Sequence, residues 1–293
     1  MEIDVSVIIV NYNTLEMTKK CIESVIRFTK KNSYEIILVD NGSTDGSVEF
    51  FTCYPNIHFI PNGDNYGFGK ANNIGAKEAH GKYLFLLNSD TILLKDIISI
   101  FFDYSESNKS NSLACCGCSL LDGNMQPTLS CGHFPSLMQE FSSIGFYRLY
   151  RNLYHNKWAT AYLFDIQHPE VVDYIIGADW FINRDVFESL GGFDEDYFMY
   201  YEETDLAYRI KHLGLCSVIL PEEGIIHYGG ISTGSIFSVK KFKLSFESKC
   251  LFFRKNQGKF RSILMKFLSL IYYFVHPAYY KHIGSILQII IKS

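Results

Sequence analysis

The chain has 293 residues, of which 47% are hydrophobic and 20% charged, a composition typical of a globular protein with a sizeable core. A formal net charge of −4 and the absence of a long Lys/Arg run argue against a nucleic-acid-binding surface, which needs clustered positive charge. Met1–Asp4 carries two acids and Val5–Val10 is a short apolar run, so we expect no secretory signal and a cytoplasmic location with reduced cysteines.

The N-terminal part of the chain alternates strand-like and helix-like segments. Val5–Val10 is an uninterrupted run rich in β-branched residues, which is typical of a strand covered on both faces. Apolar residues between Met17 and Phe28 then recur with helical spacing. The alternation continues with strands at Ile36–Val39, near Ile57–Ile60 and at Tyr83–Leu87, and with a helix over Gly69–His80. This order predicts a parallel sheet with right-handed crossovers.

The middle of the chain has a less regular pattern. We expect a helix at Ile97–Tyr104 and a strand at Leu113–Leu121. The cysteines of that strand are interpreted as small buried residues, because no second pair lies at zinc-ligand spacing; they are Cys115, Cys116 and Cys118. Asp122–Asp173 has weak periodicity and forms either a lid facing an acceptor or a structural excursion. Further elements are predicted at Tyr174–Asn183, Glu202–His212 and Cys216–Leu220.

The C-terminal segment mixes aromatic and basic residues. Its apolar runs, Phe267–Val275 and Ile286–Ile291, are shorter than the roughly 18 residues that a membrane-spanning helix needs. Two alternatives remain. The segment is either an amphipathic structure at the inner membrane face, with Lys266, Lys281 and Lys292 at the lipid headgroups, or a helical extension packed on the rest of the protein or on a second subunit.

Polar residues follow the predicted strands at the edge where parallel α/β sheets bind ligands. Asn11 and Asn13 follow the first strand, and Asp40-Asn41-Gly42 ends the second. A carboxylate at Asp40 can accept a hydrogen bond from a ribose hydroxyl or a base, and small residues beside it admit a nucleotide. Because Asn-Gly and Asp-Gly are also common turn formers, a turn without a ligand is the alternative.

A glycine-rich loop leads into the third predicted helix, in the sequence Asn65-Tyr66-Gly67-Phe68-Gly69. Such a loop permits close approach of a nucleotide. Asn72 and Asn73 are poor helix formers, so we expect their side chains to form hydrogen bonds. Lys70 faces either a phosphate or solvent.

The turn Asn88-Ser89-Asp90 comes directly after the predicted strand Tyr83–Leu87. Mg²⁺ and Mn²⁺ prefer oxygen ligands and commonly share one or two carboxylates with substrate phosphates. Asp90 is therefore a candidate metal ligand. The alternative is a turn in which Asp90 caps a helix.

Together these motifs resemble the successive donor-site motifs of family 2 glycosyltransferases. Gly191–Glu195 and Phe198–Leu206 further resemble the rhamnosyltransferase-like branch that builds bacterial surface polysaccharides, and the likeness covers about Val5 to Thr233. It implies an α/β fold of the GT-A type, a Rossmann-like mixed sheet flanked by helices. We expect this domain at 1–234, with a donor half at about 1–120 and an acceptor half at about 121–234. A helical extension follows at 235–293, for which membrane association is one of the two alternatives given above.

The resemblance also implies a reaction. The expected enzyme is an inverting hexosyltransferase that uses Mn²⁺ or Mg²⁺ and a dTDP- or UDP-linked sugar, rhamnose or a hexose. Its acceptor is a growing lipid-linked glycan or oligosaccharide of O-antigen or capsule synthesis; the oligomeric state stays open. By position, the donor-binding residues are Asn11, Asn13, Asp40, Asn41, Gly42, Asn65, Gly67, Phe68, Asn72, Asn73, Ser89 and Asp90.

The resemblance places the remaining site residues as well. Asp90 corresponds to the metal-binding acid of the Asp-x-Asp motif, whose first acid is Asn88 here, and His227 matches a histidine that approaches the metal or diphosphate, or is a core imidazole. Glu203 stands in the place of the catalytic base, because single displacement needs a base for the acceptor hydroxyl.

The acids near Glu203 leave alternatives. Glu202 and Asp205 are alternative bases, and all three acids could instead serve the helix N-terminus, with Asp205 paired to Arg209. Asp179 and Trp180 are predicted either to contact a sugar or to belong to the core.

Two other classes of function would also use a nucleotide-binding sheet. A catalytically weak sugar-nucleotide-binding protein is suggested by the missing first acid of the metal motif, whereas the acid cluster at Glu202-Glu203 argues for catalysis. A nucleotidyltransferase or a Rossmann dehydrogenase would carry a glycine-rich loop after the first strand. Asn11–Leu15 contains no glycine, which argues against both.

Overall fold

The computed structural model describes residues 2–109, 112–158, 166–229 and 238–293. The strands are β1 Val5–Asn11, β2 Tyr34–Asp40, β3 His58–Pro61, β4 Tyr83–Asn88, β5 Thr91–Leu93, β6 Leu113–Leu121, β7 Cys131–Gly132, β8 Glu170–Val172, β9 Tyr174–Ile175, β10 Asp179–Asn183 and β11 Cys216–His227. The α-helices are α1 Leu15–Phe28, α2 Ser47–Thr52, α3 Phe68–Lys77, α4 Ile97–Ser107, α5 Leu137–Ser143, α6 Arg151–Lys157, α7 Arg184–Ser189, α8 Glu202–His212, α9 Val239–Phe252, α10 Lys259–Val275 and α11 Ile283–Lys292.

One mixed sheet organises the described part of the chain. Its strand order is β3-β2-β1-β4-β10-β6-β11-β5, and β8 pairs with β11. The first four strands in this order are parallel, which confirms the prediction from the alternating pattern. β10 then runs antiparallel to both β4 and β6, so the second half of the sheet is mixed. All the parallel strands of the first half end at one edge.

Both faces of the sheet are buried. Alternate residues of β1 point into different cores: Val5, Val7 and Ile9 pack with α1 and α4, whereas Ile8 packs on the opposite face with α3 and α8. Because neither face of the strand meets water, every position of Val5–Ile9 except Ser6 is apolar. Cys115, Cys116 and Cys118 of β6 are buried, as predicted, and burial raises the pKa of each thiol.

Several boundaries differ from those expected. The segment Tyr174–Asn183 is two short strands, β9 and β10, separated at Ile176–Ala178 because β9 pairs with β7 in a separate small sheet. β11 runs to His227, seven residues past the predicted end at Leu220. The weakly periodic region from Asp122 contains α5, a 3-10 helix at Phe146–Tyr150, α6 and the short strands β7 and β8.

The C-terminal helices pack against the rest of the protein. A third hydrophobic cluster joins Phe246 and Phe252 of α9 and Met265 of α10 to Tyr197, which precedes α8. Lys249 of α9 also forms an ion pair with Glu140 of α5, at 2.9 Å. The C-terminal helices therefore pack on the rest of the protein, and this packing leaves the exposed side of α10 open to a membrane. The domain boundary predicted at residue 234 lies outside the described residues. None of the helices in the described part has the length and apolar character required to traverse a bilayer.

Candidate active site

A hydrogen-bond network ties together the ends of β1, β2 and β4. Asn11 is fully buried, and its Nδ2 donates to Asp40 Oδ2 at 2.7 Å and to Ser43 Oγ at 3.1 Å. Asn11 Oδ1 accepts from the hydroxyls of Thr14 and Thr18, both at 2.8 Å. Thr14 Oγ1 in turn lies 3.2 Å from Ser89 Oγ. The predicted polar edge is therefore one connected structure whose geometry is set by buried side chains.

Asp40 and Asn41 lie within this edge rather than on its surface. The second Asp40 oxygen accepts the Ser43 backbone N–H at 2.9 Å, so both carboxylate oxygens have protein donors. Asn41 Nδ2 donates to Asn65 Oδ1 at 3.0 Å and to the Gly67 carbonyl at 3.2 Å. These two residues shape the turn and hold the glycine-rich loop. Exposed Asn13, whose Oδ1 accepts the Thr44 N–H at 2.7 Å, is the more accessible side chain.

Two glycines allow the loops to approach closely. Gly42 has φ +80°, and a Cβ there would lie 2.8 Å from the Asp64 carbonyl carbon. Gly67 has φ +85°, and a Cβ there would overlap the Phe198 carbonyl oxygen, which accepts the Phe68 N–H at 3.1 Å. The backbone just before α8 is therefore in direct contact with the donor-side loop. The aromatic ring of Phe68 lies near Gly177, with 3.6 Å between the ring and an added Cβ.

The two asparagines of α3 form hydrogen bonds, as expected from their poor helix propensity, but with protein groups. Asn72 Nδ2 donates to the Phe68 carbonyl at 3.0 Å within the helix. Asn73 exchanges hydrogen bonds with the backbone of Phe193, donating at 2.8 Å and accepting at 2.9 Å. Asn73 thus fixes the loop that precedes α8 instead of facing a ligand. Lys70 lies 3.3 Å from Glu195 and is half exposed, so its contact is with a carboxylate.

Asp90 and His227 come together across the sheet. The antiparallel pairing of β5 with β11 places His227 opposite Thr91, and His227 Nε2 lies 3.3 Å from Asp90 Oδ1. Each side chain keeps some exposed surface, 21% for Asp90 and 16% for His227. Asp90 begins no helix; it precedes β5, whereas Asp96 is the residue that caps α4. The structure therefore pairs a carboxylate and an imidazole that are 137 positions apart in the sequence.

Glu202 and Glu203 begin α8 beside this edge. An added Cβ on Gly177 would lie 3.8 Å from Glu203 Cγ, and the next residue, Ala178, accepts the Asn88 N–H at 3.0 Å. Burial raises the pKa of Glu203 to about 7. Glu202 is 4% exposed, its Oε2 has no partner among the described residues, and burial followed by the neighbouring Glu203 charge raises its pKa well above the usual range. Two adjacent carboxyls thus differ in access: Glu203 is the more exposed.

Asp205 has a structural position. Its Oδ2 accepts from Arg209 Nε at 2.8 Å, as the sequence spacing predicted, and its Oδ1 accepts from Asn256 Nδ2 at 2.8 Å. Arg209 extends the pair to the carbonyls of Leu190 and Gly192. The carboxylate is 2% exposed with both oxygens engaged, so the alternative that makes Asp205 the base is wrong.

Asp179 and Trp180 are core residues. Trp180 is 1% exposed, donates its indole N–H to the Ile175 carbonyl at 2.9 Å and packs against Phe193. The prediction that this ring stacks on a sugar is therefore wrong, because no ring face is open. Asp179 is fully buried with one oxygen on the Cys118 N–H at 2.7 Å, and burial raises its pKa to about 8. Neither side chain reaches the surface of the site.

Some contributors were not identified from the sequence. Thr14 and Thr18 orient Asn11, and their spacing of four residues at the start of a helix was the available signal. Tyr200 and Tyr201 have φ near +70°, a costly conformation for tyrosine that directs the chain into α8. Ser248 of α9 donates to the Met199 carbonyl at 2.8 Å, a contact that no local sequence pattern predicts.

Comparison with known proteins identifies the group to which this site belongs. The profile described as Glycosyl transferase family 2 matches residues 6–191. The chain belongs to this family. The match covers β1 through α7 and so includes the whole donor-side edge, whereas the acids of α8 and His227 lie beyond it.

Individual relatives agree with the family. An N-acetylglucosaminyl-diphospho-decaprenol L-rhamnosyltransferase of Mycobacterium tuberculosis is 30% identical over 218 residues, 68% of each chain. The rhamnosyltransferase WbbL of Escherichia coli K12 is 28% identical over 256 residues, 83% of this chain and 90% of that one. A mannosyltransferase of Pyrobaculum calidifontis, solved with GDP-Man and Mn²⁺, has a TM-score of 0.58 at 14% identity and covers 98% of this chain and 79% of its own. The fold is GT-A, and the chain is a glycosyltransferase.

Proposed function

We propose that this glycosyltransferase transfers rhamnose or a hexose, with inversion, from a dTDP- or UDP-linked donor to a glycan acceptor. The observation that carries the proposal is that Glu203 lies beside Gly177, and that the next residue, Ala178, is bonded to Asn88 at the start of the turn that carries Asp90, the partner of His227. A carboxylate–imidazole pair suits the diphosphate end of a donor, and a carboxyl with a pKa of about 7 suits the acceptor hydroxyl. Two rhamnosyltransferases among the relatives favour rhamnose as the sugar.

The residues present fit a divalent metal. In the described residues no group of three or more His, Cys, Asp or Glu surrounds a common point, and Asp90 with His227 is a pair of such side chains. Mg²⁺ and Mn²⁺ typically take one or two protein ligands and complete their shell with substrate phosphates. Asp90 and His227 would hold the ion, and the solved mannosyltransferase of the same fold contains Mn²⁺. A bound metal would stabilise the negative charge of the departing diphosphate.

Side chains and loops of the protein itself remove the acceptor proton and position the donor. Glu203 accepts the proton of the acceptor hydroxyl as that oxygen attacks the anomeric carbon from the side opposite the diphosphate, which gives inversion. A base whose pKa lies near the working pH combines a useful ionised fraction with proton affinity. Burial and the neighbouring Glu203 charge raise the pKa of Glu202 well above its usual range, which disfavours a second charge beside Glu203. The loop at Asn65–Phe68, held by Asn41 and Phe198, positions the nucleoside.

The acceptor is proposed to be a growing lipid-linked glycan of O-antigen or capsule synthesis, met at the inner face of the membrane. The mycobacterial relative is named for a diphospho-decaprenol acceptor. Phe260, Ile263 and Phe267 of α10 are 79%, 66% and 56% exposed and share one helical face. An exposed apolar stripe on a helix, with Lys281 and Lys292 on the following elements, suits peripheral contact with an anionic membrane.

A nucleotide screen tests the donor part. We expect UDP or dTDP to raise the melting temperature in the presence of Mn²⁺ but GDP and CMP to have little effect. Asp90→Ala should abolish the metal-dependent part of the shift, whereas Asp103→Ala, which removes an exposed acid of α4 paired with Lys31, should not. No shift with any nucleotide in the folded protein, or an equal shift in both variants, would contradict the assignment of Asp90.

A further inference from the structure

A cavity of about 550 Å³ lies between the C-terminal helices and the segment that precedes α8. Its walls are Phe198 and residues of α9, of the turn after it and of α10. Phe198, Leu244 and Leu251 provide apolar surface, and Arg254 and Lys266 provide positive charge. We call this space, lined by the residues named above, the acceptor cavity. It lies outside the edge that contains Asp90 and His227.

The charges of the cavity favour an anion. Two acids also line it, but Asp196 accepts from Lys255 at 2.6 Å and Glu247 lies 3.8 Å from Lys243. Within the described ranges, by contrast, no carboxylate lies at ion-pair distance from Arg254 or Lys266, and neither side chain forms a hydrogen bond. Arg254 is exposed and its charge also acts on Asp196, whereas Lys266 is partly buried. Two cations outside any ion pair, beside apolar walls, suit a ligand that is anionic at one point and apolar next to it.

The cavity shares a wall with the active site. The Phe198 side chain lines the cavity, while its carbonyl oxygen accepts the Phe68 N–H of the donor-side loop at 3.1 Å. Glu203 follows five residues later in the chain, and five residues span at most about 18 Å. The wall of the cavity at Phe198 therefore lies within about 18 Å of Glu203.

The helix that carries Lys266 also carries the exposed apolar stripe. Ser262 and Lys266 of α10 face the cavity, whereas Phe260, Ile263 and Phe267 are exposed on another part of the same helix. An apolar tail that leaves the cavity along α10 would thus meet apolar surface. A free nucleotide or inorganic phosphate would have no use for Phe198, Leu244 and Leu251.

We propose that the acceptor cavity binds the diphosphate and the first isoprenoid carbons of a lipid-linked sugar acceptor. Arg254 and Lys266 hold the diphosphate, and Phe198, Leu244 and Leu251 contact the lipid. This inference rests on the proposed function, because it names where the acceptor of that reaction enters.

Farnesyl diphosphate and inorganic pyrophosphate are the test ligands, with binding measured by calorimetry on the full chain. We expect the double variant Arg254→Gln/Lys266→Gln to bind farnesyl diphosphate at least tenfold more weakly while its Mn²⁺-dependent nucleotide binding stays unchanged. The matched control, Lys259→Gln/Arg261→Gln, removes two exposed positive charges of α10 that do not line the cavity, and should bind as the unchanged protein does.

The lipid part has its own variant. Leu244→Ser should weaken farnesyl diphosphate but not pyrophosphate. Equal affinity of the unchanged protein for both ligands would mean a free-anion site and overturn the proposal. Equal weakening by the control pair would do so as well, because general attraction would then explain the binding. If the unchanged protein binds farnesyl diphosphate but no nucleotide, the proposed function fails while the lipid-diphosphate site stands.

Discussion

Glu202 and Glu203 show how two adjacent carboxyls acquire different tasks. Glu202 is buried with an unpartnered oxygen among the described residues, and burial raises its pKa well above the usual range, while Glu203 keeps exposed surface and a pKa of about 7. Glu203 is therefore the better placed of the two to exchange a proton with an acceptor near neutral pH. The difference arises because successive helical positions point about 100° apart, one toward the protein interior and one toward Gly177.

Glu203→Gln is therefore expected to lower kcat by about 10²- to 10⁴-fold, the usual contribution of a general base. Nucleotide binding should remain, because the donor-side network does not include this residue. Glu202→Gln, which replaces the adjacent buried carboxyl by a neutral amide of the same shape, is the matched control and should retain most activity. Steady-state kinetics on both variants decide between them. If the losses were reversed, Glu202 would be the base.

The raised pKa of Glu203 also predicts pH dependence. Activity should rise as pH increases through about 7, where the carboxyl ionises. Stability has the opposite sign: a folded-state pKa above the unfolded value favours the folded protein at low pH, and this contribution is lost as pH rises from about 4.5 to about 7. Glu203→Gln should consequently gain about 1–3 kcal/mol over the unchanged protein between pH 5 and pH 7.5, measured by urea unfolding. A pH-independent difference would contradict the assignment.

Whether the place of a residue could be predicted from the sequence depended on the kind of pattern around it. Asp90 could be placed because a polar turn directly after an apolar strand must lie at the sheet edge. The role of Trp180 could not be predicted, because an aromatic residue in a short strand-like segment has the same pattern whether its ring faces a ligand or the core. Only the β10 register, which sets Trp180 against Leu86 inside the sheet, decides that it is buried.

At the scale of elements, the contact between the glycine-rich loop and the segment before α8 connects donor and acceptor sides. Asn41 holds the loop from the β2 end, and the Phe198 carbonyl holds it from the other side. The unusual backbone of Tyr200 and Tyr201 then turns the chain into α8, so that Glu203 reaches the site. A shift in either element would move the other.

Gly67→Ala tests this connection. Its Cβ would overlap the Phe198 carbonyl, so we expect a loss of about 1–3 kcal/mol in stability beyond the cost of the positive φ, together with a higher KM for the donor. Gly258→Ala is the matched control: φ and ψ are +93° and +159° there against +85° and +171° at Gly67, but its Cβ would meet no atom within 4 Å. Thermal unfolding and donor kinetics compare the two. Equal effects would mean that backbone strain alone matters and that the loop contact does not.

The elements that could be predicted share one property. β1, β2 and β4 are covered on both faces, which leaves continuous apolar runs in the sequence. The region from Asp122 could not be assigned because its strands are two or three residues long and its helices cover single faces of the protein. Such short elements are stabilised by residues far away in the sequence, as the ion pair between Glu140 and Lys249 shows. They therefore leave little periodic pattern in the sequence.

At the scale of the whole molecule, the C-terminal helices support the start of α8 and the segment that precedes it. Asn256 supplies one of the hydrogen bonds that hold Asp205, and Ser248 holds the backbone of Met199. These partners are about fifty residues apart in the sequence, so no spacing rule could have joined them. The C-terminal helices therefore have two faces. One holds the first turn of α8, and the other is exposed and apolar.

Two phenylalanines of the extension separate these roles. Phe252 is fully buried, with its ring 5.9 Å from Tyr201 and 5.6 Å from Tyr208, whereas Phe267 is 56% exposed. Phe252→Ala should lower the stability of the whole protein by about 3–5 kcal/mol and reduce turnover, because Tyr201 leads directly into Glu202 and Glu203. Phe267→Ala should change stability by less than about 0.5 kcal/mol but weaken sedimentation with anionic lipid vesicles.

Urea unfolding, followed by both tryptophan fluorescence and circular dichroism, measures the stability loss in Phe252→Ala. A single coincident transition is expected because the third hydrophobic cluster joins the C-terminal helices to Tyr197. Two separate transitions, with turnover unaffected by Phe252→Ala, would show instead that the extension folds and acts independently of the catalytic half.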